Sequence, residues 1–160
     1  MPVGAASWSF TEDDFGAITS ALDRFLSDSN ARSALLVDRT GQLVATCGER
    51  PNFDPTAFAT LTAADFSAND QLAKLIGEND FQSLFHQGEK ESMYLADIAR
   101  RVILVVLFDN RTTLGLVRLK MKQIVAELTA LFEKVFSRAD DGKSPNVLAG
   151  ADDEIDKLFQ

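Results

Sequence analysis

The chain has 160 residues, 46% of them hydrophobic and 25% charged, which suits one soluble globular domain with a short appendage. A formal charge of -8 argues against partners that present phosphates, so neither nucleic acid nor an anionic membrane surface is expected. The single cysteine, Cys47, rules out an intramolecular disulfide and a Cys-rich metal pattern, and a reducing cytoplasm fits.

Residues 1–10 lack a basic stretch followed by an apolar run, and the longest apolar run, residues 102–108, is too short to span a bilayer. Phe10, Phe15, Ile18, Leu22, Phe25 and Leu26 recur at helical spacing, so residues 11–27 read as an amphipathic helix. Thr11 is its candidate N-cap, with Asp14 completing an approximate capping box. Ala34-Leu35-Leu36-Val37 and Gln42-Leu43-Val44-Ala45-Thr46-Cys47 flank the turn Asp38-Arg39-Thr40-Gly41 and predict a hairpin. A loop over residues 48–55 leads to a middle helix, from about residue 54 to Gly77 as C-cap.

In that helix Phe58, Leu61, Ala68, Leu72, Leu75 and Ile76 are expected to lie on the sheet. Thr60, Ala64, Ser67, Gln71 and Lys74 form a second stripe, small or short-chained for the most part, which suits either a plain solvent face or the close approach of another backbone. Three strands follow, over residues 81–86, 92–98 and 102–108, the last a β-branched run suited to a central strand buried on both faces. Leu114, Val117, Met121, Ile124, Leu128, Leu131, Phe132 and Val135 then keep helical spacing for over five turns. Residues 1–138 are read as one domain and 139–160 as an acidic flexible tail, where six acids against two lysines from residue 140 onward carry half the net charge. In the tail Ile155, Leu158 and Phe159 would line one face of a short amphipathic turn that folds when bound. The order helix, two strands, helix, three strands, helix gives an α+β class with helices on both faces of one antiparallel sheet.

No enzyme signature stands out. His86 has no cysteine or glutamate cluster at ligand spacing and reads as a strand histidine hydrogen-bonded to its neighbours. Cys47 closes a strand and reads as inert packing, since no base can be nominated for it. The glycines lack the Lys-terminated pattern that cradles phosphate, so the chain is not itself an NTPase, and no catalytic residue, cofactor or metal is expected. Arg39, Arg50, Arg100, Arg101 and Arg111 fall in turns, where an arginine finger could in principle contribute roughly 10³ to 10⁵ in rate, but solvated turn charges are the expected reading.

Leu107-Phe108-Asp109-Asn110-Arg111-Thr112-Thr113-Leu114-Gly115-Leu116-Val117-Arg118 resembles the Roadblock family, its MglB branch in particular. Leu36-Val37-Asp38-Arg39-Thr40-Gly41-Gln42-Leu43, Leu72-Ala73-Lys74-Leu75-Ile76-Gly77-Glu78-Asn79 and Phe85-His86-Gln87-Gly88 agree with it, so the resemblance spans residues 10–135, and the acidic tail looks like the family's C-terminal appendage.

It implies a five-stranded antiparallel sheet with the middle helix on one face and the outer helices on the other. It further implies a homodimer joined through middle helices and edge strands, two copies binding one MglA-type Ras-like GTPase and stimulating GTP hydrolysis by reshaping the GTPase's own catalytic elements. The middle-helix residues Thr60, Ala64, Ser67, Ala68, Gln71 and Lys74 would then make GTPase and dimer contacts, with Ile155, Leu158 and Phe159 of the tail as a second GTPase contact. Cell polarity and gliding motility would be the cellular output, from a cytoplasmic protein enriched at a pole. A Roadblock scaffold without effect on hydrolysis is the alternative. The chain departs from the family pattern at Asn69-Asp70-Gln71, where glycine and small residues are expected.

Overall fold

A computed structural model describes residues 10–79 and 82–142, with side chains described to residue 138. Helix α1 (Glu12–Ser29) starts at the capping box expected from its sequence: Asp14 N donates to Thr11 Oγ1 at 3.1 Å and Thr11 N to Asp14 Oδ2 at 3.0 Å. It ends at Asn30, whose left-handed backbone lets its N–H reach the Leu26 carbonyl.

Strands β1 (Ser33–Asp38) and β2 (Leu43–Gly48) form the first hairpin, helix α2 (Pro55–Leu75) follows, then β3 (Ser83–Gln87), β4 (Ser92–Ile98), β5 (Val102–Phe108) and helix α3 (Leu114–Gly142). α3 continues past residue 138, where the tail is expected to begin. The strands make one antiparallel sheet in the order β2-β1-β5-β4-β3, leaving β2 and β3 as edges.

Strand alternation sends successive side chains to opposite faces. Ala34 and Leu36 of β1 and Leu104 and Val106 of β5 join Ile18, Leu22 and Phe25 of α1 and Leu128 and Phe132 of α3 in the larger core. Leu35, Val37, Ile103 and Val105 join Leu95 of β4 and Ala59 and Phe66 of α2 in a smaller core on the other face. The outer helices thus share one face and the middle helix holds the other alone. The β1–β2 turn comes close under α2: a Cβ on Gly41 would lie 3.3 Å from Thr60 Cα, and its φ of +96° is a conformation side-chain-bearing residues rarely adopt.

Candidate functional site

α2 begins at Asp54, whose side chain accepts from Thr56 N at 3.1 Å, with Pro55 in the first turn where its missing N–H costs nothing. Its buried residues are Ala59, Thr62, Ala63, Phe66, Asn69 and Ala73. The face expected to lie on the sheet is therefore wrongly assigned. Leu61 is 69% exposed, Leu72 57%, Leu75 81% and Ile76 70%, Ala68 is exposed too, and of the six only Phe58 is partly buried. Small side chains let α2 settle close to the strands, so alanines occupy the inner stripe and the large aliphatics are left outside.

Ala57, Leu61, Ala64, Ala68, Leu72 and Leu75 fall at spacings of three and four residues and make one outward apolar line. The candidate residues Thr60, Ala64, Ser67, Ala68, Gln71 and Lys74 are all exposed; Ala64 and Ala68 lie in this line and the other four along its flank. The structure thus joins the two stripes into one surface. The signal for the inner face was available in the spacing of Ala59, Ala63, Phe66 and Ala73 about one aromatic anchor.

Arg39 is a second correction. It is no solvated turn charge: its side chain is 30% exposed, Nη1 donates to Asp70 Oδ2 of α2 at 2.6 Å, and Nη2 donates to Asp97 Oδ1 of β4. The guanidinium carbon also stands 5.0 Å from the centroid of Phe66. Burial works against this charge, yet the two carboxylates prevail and its pKa is raised. Arg111 is also engaged, with Asp109 and Glu49, and Arg101 lies over the Phe136 ring at 4.5 Å. Arg50 and Arg100 are exposed.

His86, on the edge strand β3, lies with Nε2 2.6 Å from Asp65 Oδ2 of α2, so it is hydrogen-bonded to a neighbouring element as expected. Burial first, and then Asp23, pushes the Cys47 thiol up to about 11, which leaves it protonated and unreactive near neutrality. Among the described residues no group of three or more His, Cys, Asp or Glu is placed to hold a metal ion, and no helix is long and apolar enough to cross a membrane. Ile155, Leu158 and Phe159 lie outside the described residues.

The family model of the Roadblock/LC7 domain matches residues 18–108. The chain belongs to the Roadblock/LC7 family. This Roadblock chain is similar to MglB of Myxococcus xanthus, at 49% identity over 75% of this chain and 98% of that one, with a TM-score of 0.72. The gliding protein MglB of Thermus thermophilus is 32% identical over 80% of this chain and 97% of its own, with a TM-score of 0.74. An MglB structure with a tetrameric arrangement is 32% identical over 81% of this chain and 97% of its own, with a TM-score of 0.75. Sequence and fold are thus MglB-like, with the five-stranded sheet and the α-β-β-α-β-β-β-α order of the Roadblock fold.

Proposed function

We propose that this Roadblock chain is a non-catalytic homodimeric regulator that binds an MglA-type Ras-like GTPase, two copies to one GTPase, and stimulates its GTP hydrolysis. The observation that carries the reading is the outward line of α2, where Leu61, Leu72 and Leu75 stand largely in water, with Ile76 exposed just past the end of the helix. Full burial of one such side chain contributes about 1.5–3 kcal/mol, so the face gains by being covered. A second copy can bring the same line to meet it about a twofold axis. Likeness to MglB structures, one in a tetrameric arrangement, supports self-association.

The flank of Thr60, Ser67, Gln71 and Lys74 then borders the dimer seam and offers polar side chains to the GTPase. Arg39 and Arg111 are already engaged by this chain's own carboxylates, which suits an activator that reshapes its partner's catalytic groups without inserting an arginine. Control of cell polarity and gliding motility from the cytoplasm, with enrichment at a pole, is the corresponding cellular role.

Multiple-turnover GTP hydrolysis by the cognate GTPase, with and without this protein, tests the reading. A rate that rises with added protein and saturates near two chains per GTPase is expected. Binding with an unchanged rate would replace activation by scaffolding.

A further inference from the structure

We propose that Arg39 is a positioning residue for the docking face of α2, clamping the last turns of the helix to the sheet so that Gln71, Leu72, Lys74, Leu75 and Ile76 are presented as one surface. The inference rests on the reading of α2 as a docking face. Large apolar anchoring of α2 ends at Phe66, because beyond it only Asn69 and Ala73 are buried, one amide and one methyl. Asp70 supplies the hold that apolar packing does not. Its carboxylate accepts from Arg39 Nη1 at 2.6 Å, while Nη2 of the same guanidinium donates to Asp97 on β4.

Two further hydrogen bonds, one from the Arg39 backbone and one to the second oxygen of Asp97, hold the clamp in place. Arg39 N donates to the Arg101 carbonyl at 3.1 Å, and Asp97 Oδ2 accepts from Arg100 N at 3.1 Å. One guanidinium therefore links the β1–β2 turn, strand β4 and the C-terminal part of α2, and the Arg39 backbone ties in the β4–β5 turn. A planar guanidinium presents two terminal nitrogens to two carboxylates at once, whereas a lysine ammonium is a point charge on a flexible stem. Asp70 and Asp97 are only 20% and 17% exposed. Without Arg39 they lose their shared countercharge, and the helix end relieves the cost by moving toward water. Asp70, within the polar sequence Asn69-Asp70-Gln71, thereby acquires a role.

Hydrogen exchange on the full chain tests the clamp without a partner. In Arg39→Met the amides of residues 69–76 should exchange at least about tenfold faster while those of residues 102–108 keep their protection, with Arg39→Lys between. Asp97→Asn, which keeps the Arg39–Asp70 pair, should give a smaller change and serves if Arg39→Met does not fold. With the GTPase, half-maximal stimulation should need about tenfold more Arg39→Met protein, while the rate at saturation stays within about twofold, because a docking surface is displaced and no reacting group is lost. Unchanged exchange in Arg39→Met, or in Asp97→Asn should that variant alone fold, would overturn the proposal. So would a loss of about a thousandfold at saturation with affinity intact, which would make Arg39 a finger. A wild-type chain that stimulates no GTPase would sink the functional reading instead, and the exchange result would still decide the clamp.

Discussion

Glu49, just past the end of β2, accepts from both terminal nitrogens of Arg111, at 3.1 and 3.3 Å, tying the first hairpin to the turn between β5 and α3. Arg32 Nε donates to the same carboxylate at 2.6 Å. The Arg111 and then the Arg32 hydrogen bonds hold the Glu49 carboxyl below its ordinary value of 4.5, and Arg111 likewise holds Asp109 below 3.8. A folded-state pKa below the unfolded one gives stability that is present above the unfolded value and lost as pH falls through the folded one. The melting temperature should therefore fall as pH drops below about 4.5, and Glu49→Gln should show a shallower fall over that window. Thermal unfolding of both proteins from about pH 7 to 3 checks this; equal slopes would mean that the bridges form as readily in the unfolded chain.

The chain should be a dimer at micromolar concentration, held by the outward line of α2. Replacing Leu72 and Leu75 together by Glu puts two charges into that seam, and light scattering should then give the mass of one chain. Since both side chains are exposed in the single chain, helicity should stay near wild type. A double variant that remains dimeric would move the seam elsewhere, the β2 and β3 edges being the next places to look.

Periodicity made the fold legible. The Thr11–Asp14 box opens α1 where expected, and β5 is the apolar central strand that its β-branched run implied. Periodicity says which residues share a face of a helix, however, and not which face meets the sheet. In α2 the usual tie-break, that larger apolar side chains go inside, failed because close packing took Ala59, Ala63 and Ala73 and left Leu61, Leu72 and Leu75 outside. Arg39 was illegible for another reason. Its partners lie 31 and 58 residues away, and only the folded chain brings a turn, a helix and a strand to one guanidinium.

No single arginine should behave as a finger. Alanine at Arg39, Arg50, Arg100, Arg101 or Arg111, one at a time, should lower the saturated stimulated rate far less than the roughly 10³ to 10⁵ that such a residue contributes. Arg39→Ala should instead raise the concentration needed for half-maximal stimulation. Single-turnover hydrolysis at saturating activator separates the two effects, and a thousandfold rate loss at one position with intact binding would require a finger after all.

The tail should act as a separable second contact. Ile155, Leu158 and Phe159 can enter an apolar groove on the GTPase while Asp152, Asp153, Glu154 and Asp156 meet a basic rim, and tethering raises their effective concentration. Deleting residues 149–160 should weaken GTPase binding or alter its nucleotide exchange while leaving the dimer unchanged. Titration calorimetry and nucleotide release that match the full chain would reduce the tail to a solubilising end.

The most discriminating prediction separates the two uses of α2. Its central line carries the aliphatic residues, whereas Ser67 and Gln71 lie on the flank beside it and are already exposed. A long cation at either flank position costs the single chain little, since it can remain in water. If the GTPase docks across this flank, the same cation must be buried without a partner or hold the two proteins apart, at a cost of several kcal/mol. Ser67→Arg and Gln71→Arg should therefore abolish GTPase binding while the melting temperature and dimer mass stay as in wild type, whereas Leu72→Glu with Leu75→Glu should lose the dimer first. Measuring chain mass and GTPase affinity on all three variants tests both surfaces together. Normal affinity in both arginine variants would show that the GTPase docks elsewhere; loss of the dimer in either would show that the flank belongs to the seam.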